Sequence, residues 1–303
     1  MPFVDAETLA HALPMTAAID ALEAAFGSER LPEAPLRTHV ETRAGTVLLM
    51  PAFGEQGVGV KLVTLTPSNS ERGLPFIHAV YALFETATQA PVGLLDGAAL
   101  TAIRTAAVSG LATRHLARTD SSRLAIFGAG VQARSHLRAM LAVRPIEDVV
   151  VVSRTRERAE TLAKEAGVDA RVGAPDEVGD RDLVCTCTTS ATPVFDGSLL
   201  APGTHVNAVG AYRPDLRELD TETIERARVV VETRDDTMEE AGDLLIAMKE
   251  GAIGEDHVVA DLAEVIRGVT VRRTAQDVTV FKSVGVAFED LVVARAAVDR
   301  LGS

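Results

Sequence analysis

The chain has 303 residues, of which 47% are hydrophobic, and its formal net charge of −13 gives an isoelectric point near 5.0. Phosphate backbones and anionic lipids attract basic surfaces, so this charge argues against a nucleic-acid partner and against an anionic-membrane partner. A chain of this length and hydrophobic content can bury one large core or two modest cores, and we expect two domains.

The predicted elements of the first region are two short helices followed by a sheet. Apolar residues recur at helical spacing across residues 5–27, and Pro14 divides this stretch into two helices. Residues 97–117 form an Ala-rich pattern that is typical of a long helix and that leads to a second region. Between them, four segments rich in β-branched residues predict a mostly antiparallel sheet, at residues 47–50, 58–66, 77–84 and 91–95.

In the second region, apolar runs alternate with helical segments. This alternation predicts an α/β fold with a doubly wound parallel sheet of the Rossmann type, beside an α+β domain formed by the first region. A last strand at residues 279–281 precedes an amphipathic helix, which we expect to pack on the first domain. The expected domains are residues 1–118 joined by residues 286–303, and residues 119–285. The other predicted strands are residues 124–127, 149–152, 183–187, 205–209 and 229–231.

The two cysteines and the first residues bear on the cellular compartment. The stretch MPFVDAETLAHALPM lacks the basic and long apolar segments of a secretion signal, and no apolar run approaches the roughly 18 residues of a spanning helix. We therefore expect a cytoplasmic protein. Cys185 and Cys187 would share one face of a strand, as a metal or redox pair or as core cysteines. A metal would need two further ligands, so we expect none.

The stretch LAIFGAGVQA carries the strongest single motif. Gly128, Gly130 and Ala133 follow an apolar strand and open a helical segment, which is the context that this motif requires. The first glycine permits a tight turn, the second lets the backbone approach a pyrophosphate, and Ala133 allows close helix–strand packing. With Val131 and Gln132 in the first helical turn, these residues predict a dinucleotide site and not a plain strand–helix turn.

The residues after the second strand of this region favour NADP(H) over NAD(H). An NAD enzyme places a carboxylate on the ribose diol about twenty residues past the glycines, where this sequence has Ser153, Arg154, Thr155 and Arg156. Hydroxyl and guanidinium groups suit a 2′-phosphate, because arginine offers a charged bidentate fork. Alternatively, Arg154 and Arg156 are solvated residues at a helix start.

Three cations outside this region lie in apolar or turn-like surroundings. Arg37 lies in APLRTHV, Lys61 in the predicted strand GVGVKLVTL, and Arg104 in the predicted helix LTAIRTAAVS. A charge inside such an element is costly unless an anion meets it. Each cation therefore pairs with a protein carboxylate or reaches water, or the three together bind an anionic ligand.

Seven ordered stretches resemble the ornithine cyclodeaminase/mu-crystallin family. The resemblance implies an N-terminal domain whose antiparallel sheet forms homodimers, followed by a Rossmann domain that binds NAD(P). It also implies that Arg37, Lys61 and Arg104 hold the carboxylate of an amino or imino acid. The stretches are residues 37–51 and then GVGVKLVT, LLDGAALTAIRTAAVS, IFGAGVQA, HVNAVGAYRPDLRELD, EAGDL and TVFKSVGVAFED.

The resemblance also implies which residues lie beside the nicotinamide. These are Thr188, Asn207, Ser283 and Val284, which could otherwise be ordinary polar residues at strand ends. The sequence SRT after the second strand is similar to the mu-crystallin side of the family, in agreement with NADP(H).

Two positions depart from the cyclodeaminase pattern. Tyr212 stands where ornithine cyclodeaminases carry a catalytic aspartate, and Phe76 stands where they carry a threonine near the substrate. An aromatic pocket would desolvate the second ammonium group of ornithine without pairing it. A cyclic imino acid has one carboxylate and an apolar ring. We therefore expect an NAD(P)H-dependent ketimine reductase that reduces pyrroline-2-carboxylate or piperideine-2-carboxylate to L-proline or L-pipecolate.

Several alternatives stay open at this point. Lys61 either donates a proton or only binds the carboxylate, and His78 is either a second proton donor in the substrate pocket or a structural histidine. The other functions are an ornithine cyclodeaminase, an amino-acid dehydrogenase such as alanine dehydrogenase, and an NADPH-dependent ligand-binding protein without turnover. Tyr212 argues against the first of these, and the three retained cations argue against the last.

Overall fold

The helices and strands of the computed structural model, which describes residues 2–302 apart from the side chain of Ser70, fall into two units. The first unit runs to Arg104 and includes the residues from Val286 onward, and the second unit is Thr105–Gly285. The division falls inside a helix, whereas the sequence suggested a boundary after residue 118. That helix contributes its first turns to one unit and the remainder to the other.

The strands are β1 (Phe3–Val4), β2 (Thr38–Glu41), β3 (Thr46–Gly54), β4 (Gly57–Leu65), β5 (Ile77–Phe84), β6 (Pro91–Asp96), β7 (Arg123–Phe127), β8 (Asp148–Val152), β9 (Asp169–Val172), β10 (Leu183–Thr186), β11 (His205–Ala208), β12 (Ala227–Val231), β13 (Val258–Asp261) and β14 (Val278–Lys282). The helices are α1 (Ala6–Ala12), α2 (Met15–Phe26), α3 (Gly97–Leu116), α4 (Val131–Val143), α5 (Arg156–Glu165), α6 (Thr221–Arg226), α7 (Arg234–Glu240), α8 (Gly242–Lys249), α9 (Leu262–Ile266) and α10 (Ala287–Gly302). Short 3-10 helices lie at Pro67–Arg72, Pro175–Asp180, Gly197–Leu199 and Glu255–His257.

The sheet of the first unit has the order β1-β6-β5-β4-β3-β2, and every pairing except that of β1 with β6 is antiparallel. The prediction of a mostly antiparallel sheet is confirmed, and so is the division of the N-terminal helices at Pro14. β2 escaped prediction because all four of its residues are exposed, so it lacks the alternation of a half-buried strand.

Helix α10 packs on α2, β3 and β4, although in the chain it follows the last strand of the second unit. The Phe288 ring contacts the Phe26 ring edge to face, with 5.0 Å between ring centroids. The first turn of α10 is consequently held against α2.

The sheet of the second unit has eight parallel strands in the order β13-β12-β14-β11-β10-β7-β8-β9. From β7 the chain moves outward through β8 to β9, and it then returns to β10 on the other side of β7. This reversal is the switch point of a doubly wound sheet, where ligands bind at the carboxyl ends of the strands. The predicted Rossmann-type α/β fold is confirmed.

Helix α3 is Ala-rich and spans 20 residues. Nowhere in residues 2–302 is a helix both long enough and apolar enough to cross a membrane.

Candidate active site

The glycine turn after β7 has the geometry that the motif predicts. Gly128 has a φ of 113°, and a Cβ at this position would lie 2.6 Å from the carbonyl oxygen of Cys187. Any other residue would therefore be strained and would clash with the end of β10. Gly130 differs, because no atom lies within 4 Å of the place that its Cβ would take. Its backbone is open to a ligand, while Ala133 is buried in the first turn of α4.

A cavity of 410 Å³ opens beside this turn, at the carboxyl ends of β7, β8 and β10. These strand ends flank the switch point of the sheet, which is where a dinucleotide binds in a Rossmann domain. The lining comprises residues 127–130, 152–155, 187–190 and 193–194 together with Arg158 and Pro175.

The N-terminus of α4 faces a second hollow, of 380 Å³, whose lining shares Ala129, Gly130 and Arg158 with the first. Gly130 is the N-cap of α4 and no side chain caps the helix, so the first-turn N–H groups can bind an anion. Val131 is 67% exposed there, and the Gln132 Oε1 atom is buried with no hydrogen-bond partner among residues 2–302. The free N–H groups of α4, the unpartnered Gln132 oxygen and the adjacent cavity together fit a nicotinamide dinucleotide.

Three of the four residues predicted to select the cofactor line the larger cavity, and Arg156 does not. Ser153, Arg154 and Thr155 follow β8 directly. The Ser153 hydroxyl oxygen accepts a hydrogen bond of 3.2 Å from the Thr155 N–H, which shapes the turn into α5.

Arg156 and Arg158 have different surroundings. The Arg156 side chain is 77% exposed and donates to Glu160 on the same helix, at 2.9 Å. Arg158 lines both hollows and was not predicted from the sequence. It holds the third position of α5, three residues after the N-cap Thr155. Identifying it from the sequence requires knowing where α5 begins.

Thr188, predicted beside the nicotinamide, lies at the rim of the cavity after β10. Its N–H and its hydroxyl both donate to Glu218 Oε1, each at 2.7 Å. Asn207 is fully buried in β11, and its amide donates to the Thr113 hydroxyl at 2.9 Å. Asn207 Oδ1 has no hydrogen-bond partner in the described part of the chain.

Ser283 and Val284, the other two residues predicted beside the nicotinamide, follow β14. Both donate to the buried Glu232 carboxylate, from the Ser283 hydroxyl at 2.6 Å and from the Val284 N–H at 3.0 Å. The roles of Glu232 and Glu218 could not be predicted from the sequence, because nothing in the local pattern of a single carboxylate shows that it will be buried.

In the first unit, the structure shows what lies against two of the three predicted cations. Lys61 is 1% exposed in the middle of β4, and its Nζ atom lies 2.7 Å from Asp290 Oδ2. Arg104 Nη1 lies 3.0 Å from Glu289 Oε2, and Arg104 Nε lies 3.4 Å from Asp290 Oδ1. Both carboxylates belong to the first turn of α10, so pairing with protein carboxylates is confirmed for both cations.

The third cation, Arg37, also affects the ionisation of Lys61. Burial lowers the pKa of Lys61 from 10.5 to about 8, against the opposing effect of Asp290, and the charges of Arg104 and Arg37 lower it further. Arg37 is half-buried just before β2. Arg37, Lys61 and Arg104 are therefore close enough for their charges to act on one another.

The predicted substrate-pocket residues are all accessible. Phe76 is 43% exposed, and His78 is exposed in β5. Tyr212 lies in the second unit, after β11, and is 36% exposed.

The two cysteines are free thiols. Cys185 is buried in β10, where burial raises its pKa to about 12, and Cys187 lines the larger cavity. Across residues 2–302, no group of three or more His, Cys, Asp or Glu side chains is arranged to hold a metal.

Comparisons with known proteins agree with this geometry. The sequence pattern described as the ornithine cyclodeaminase/mu-crystallin family matches residues 3–303. A Delta(1)-pyrroline-2-carboxylate reductase of Bacillus cereus is 38% identical over 282 residues, which cover 89% of this chain and 86% of that protein.

Two solved structures share the fold over almost the whole chain. The Delta(1)-pyrroline-2-carboxylate reductase of Thermococcus litoralis, in complex with NADH and L-proline, has a TM-score of 0.93, 37% identity and coverage of 99% of this chain and 97% of that chain. An archaeal alanine dehydrogenase dimer with bound NAD has a TM-score of 0.92, 30% identity and coverage of 98% and 95%. These similarities support an oxidoreductase that uses a nicotinamide cofactor.

The buried ion pair of the first unit leads to a stability prediction. Asp290→Asn leaves the Lys61 ammonium buried without its carboxylate, so we expect the free energy of unfolding to fall by about 3–5 kcal/mol. Adding Lys61→Met should restore at least half of that loss, because it removes the stranded charge. Urea unfolding followed by circular dichroism measures both.

Asp299→Asn is the matched control, since Asp299 is exposed on the same helix and should change stability by less than about 0.5 kcal/mol. Equal losses for the single and the double variant would show that the pair does not govern the stability of this unit.

Proposed function

Because the chain belongs to the ornithine cyclodeaminase/mu-crystallin family, we propose that it is an NADP(H)-preferring reductase of cyclic imino acids. Its substrates are pyrroline-2-carboxylate and piperideine-2-carboxylate, and its products are L-proline and L-pipecolate. The observation that carries the proposal is that the three cations lie together in the first unit: Lys61 and Arg104 are buried against Glu289 and Asp290, and the charge of Arg37 acts on Lys61.

The similar proteins support this substrate class. The Bacillus cereus relative is named for pyrroline-2-carboxylate reduction, and the Thermococcus litoralis structure holds L-proline, the product of that reduction. Tyr212 and Phe76 present aromatic surface and offer no carboxylate to a second ammonium group of ornithine. If the protein were a cyclodeaminase, these two residues would leave the second ammonium group of ornithine without a carboxylate.

When bound, the reduced cofactor supplies a hydride to the carbon of the C=N bond. The part of the protein is to hold the substrate carboxylate with Arg37, Lys61 and Arg104, which fixes the face of the imine that is presented. The π electrons of the C=N bond move to nitrogen, and nitrogen takes up one proton. We assign that proton to Lys61, whose lowered pKa makes its ammonium a better acid than an exposed lysine.

The preference for NADP(H) rests on the loop after β8. Ser153, Arg154, Thr155 and Arg158 line the cavity and can meet a 2′-phosphate with hydroxyl and guanidinium groups. Val131, Gln132 and the N-terminus of α4 hold the pyrophosphate, while Thr188, Asn207, Ser283 and Val284 stand on the nicotinamide side.

We also infer a homodimer, built on the first unit. Leu36, Val40 and Leu62 are apolar residues that are 39–50% exposed at or near its sheet. The archaeal alanine dehydrogenase is a dimer. Burying such a surface against a second copy removes apolar area from water.

The activity itself is the first test. With pyrroline-2-carboxylate or piperideine-2-carboxylate, we expect the protein to oxidise NADPH, which absorbance at the nicotinamide band measures. Arg37→Ala should raise the KM for the imino acid about tenfold or more, since a charged hydrogen bond is worth roughly 1.5–3 kcal/mol. Arg43→Ala, an exposed arginine of the same unit, is the control and should leave the KM unchanged.

Other outcomes would assign other functions. Ammonia release from ornithine would establish a cyclodeaminase. Oxidation of alanine with NAD(P)⁺, without imine reduction, would establish an amino-acid dehydrogenase like the structurally similar alanine dehydrogenase. NADPH binding without turnover of any of these compounds would establish a ligand-binding protein.

Cofactor choice gives a second prediction. The double variant Arg154→Ala/Arg158→Ala should raise the dissociation constant of NADPH about 10- to 100-fold and leave that of NADH within about threefold, because only NADPH carries the 2′-phosphate. Quenching or enhancement of nicotinamide fluorescence measures both constants. Arg156→Ala is the control, because this side chain pairs with Glu160 and does not line the cavity. Equal effects on the two cofactors would remove the NADP(H) preference from this loop.

The lowered pKa of Lys61 gives a third prediction. As the pH rises through about 8, Lys61 loses its proton, and with it the charge that holds the carboxylate and the proton for nitrogen. We expect kcat/KM to fall toward a tenfold loss per pH unit above that value. The charged groups around Lys61 are Asp290, Arg104 and Arg37, and Tyr81 on β5 stays neutral because burial raises its pKa.

The variant Lys61→Arg distinguishes loss of the Lys61 proton from ionisation of the imine substrate as the cause of the fall in kcat/KM. A guanidinium keeps its proton across this range, so the variant should be slower but should lack the fall near pH 8. The same fall in both proteins would place the ionisation in the substrate.

A further inference from the structure

A single buried carboxylate ties together the ends of two strands beside the larger cavity. Glu218 is fully buried, and its Oε2 atom accepts hydrogen bonds from the Thr186 hydroxyl at 2.9 Å and from the Gly210 N–H at 2.6 Å. Its Oε1 atom accepts both bonds from Thr188. Thr186 ends β10, Thr188 follows it, and Gly210 follows β11. Four donors on two neighbouring strand ends therefore converge on one side chain.

A second carboxylate and a lysine hold Glu218 in place. Asp243 accepts hydrogen bonds from the backbone N–H groups of Glu218 and Leu219, at 2.7 and 2.8 Å. Asp243 also pairs with Lys282 at the end of β14, at 2.8 Å with both side chains buried. Lys282 in turn donates to the Ala211 carbonyl beyond β11. The ends of three adjacent strands thus belong to one connected network.

The fit around Glu218 is tight enough to fix positions. A Cβ on Gly210 would lie 2.1 Å from the Thr188 carbonyl oxygen and 2.5 Å from Glu218 Oε1, so the two strand ends are in contact through this glycine. Residues 187–190 line the cavity on the β10 side, whereas residues 152–155 line it on the β8 side, with β7 and its glycine turn in between. A dinucleotide that crosses this turn with its adenosine half over β8 places its nicotinamide half over β10.

We propose that Glu218 is a positioning residue for the nicotinamide half of the cofactor, which it acts on through Thr188 and the segment that follows. The inference rests on the proposed function, because it takes the cavity to be a dinucleotide site. Glu218 has no contact with the cavity itself. It fixes the direction of the Thr188 N–H and hydroxyl, and with them the wall on which the nicotinamide half rests.

The chemistry of the carboxylate is essential to this role. All four groups that face Glu218 donate hydrogen bonds, and only a carboxylate accepts on both atoms. Glu218→Gln has nearly the same shape but would turn an amide NH₂ toward two donors, on the Thr188 side or on the Gly210 side. A donor would then face a donor without a partner, and the segment after β10 would have to move.

The test compares two ligands that reach different parts of the cavity. NADPH spans both halves, whereas 2′,5′-ADP reaches only the adenosine side. For Glu218→Gln we expect the dissociation constant of NADPH to rise about tenfold or more and that of 2′,5′-ADP to stay within about twofold. Nicotinamide fluorescence and isothermal calorimetry provide the two constants. Glu225→Gln, an exposed glutamate on α6, is the matched control and should change neither.

The outcomes are distinct. Equal weakening of both ligands would show a general structural role and overturn the proposal, and so would unchanged binding of NADPH. Retained affinity for 2′,5′-ADP shows that the variant is folded. If Glu218→Gln does not fold, Thr186→Val decides, because it removes one of the four donors and lies outside the cavity lining. It should weaken NADPH about threefold and spare 2′,5′-ADP, and unchanged NADPH affinity would again overturn the proposal.

Failure of the proposed function gives a different result. If the wild-type protein binds no NADPH, the cavity is not a dinucleotide site. If it binds NADPH but reduces no cyclic imino acid, the substrate assignment fails, while the comparison of the two ligands still tests Glu218.

Discussion

The first unit depends on the burial of the Lys61 ammonium in the middle of a sheet. Removing such an ion from water costs several kcal/mol, and the cost is offset only if a counter-charge is also buried in good geometry. Asp290 supplies this charge at 2.7 Å, from a position 229 residues later in the chain. The return of α10 to β3 and β4, after the second unit is complete, is therefore an electrostatic requirement as well as a matter of packing.

The same requirement organises the strand ends of the second unit. Glu218, Asp243 and Lys282 are all fully or almost fully buried, and each is satisfied by charges or by backbone groups of neighbouring strands. The three residues come from the stretches RELD, EAGDL and TVFKSVG. These stretches lie far apart in sequence, and the structure brings them together behind the wall of the cofactor cavity. These three stretches therefore form one buried ionic network, which none of them would indicate if it were read alone.

Local interactions account for what the sequence could predict. The strand before Gly128, the positive φ of that glycine and the helix after it all follow from residues within one short stretch, as do the two helices separated by Pro14. Arg156 was considered for the cofactor and Arg158 was not, because the choice between them depends on where α5 starts, and helix starts are poorly determined by sequence.

Long-range interactions account for what the sequence could not predict. The partners of Lys61 and Arg104 are carboxylates from the distant α10, and periodicity carries no information about which distant groups will meet. The burial of Glu218 and Glu232 has the same origin. The sequence could state that a buried cation needs an anion, and it left open whether that anion belongs to the protein or to a ligand.

The structure shows that a protein carboxylate meets Lys61 and Arg104, and it does not exclude a ligand. Both cations pair with protein carboxylates in a buried setting, and the charge of Arg37 still lowers the pKa of Lys61. Under the proposed function, the substrate adds its carboxylate to this cluster away from water, where uncompensated charge is costly. Ornithine would bring a second ammonium group to a cluster that already holds three cations, whereas the unprotonated form of a cyclic imino acid brings only its carboxylate. The proposal therefore favours a monoanion that receives its proton only at the site.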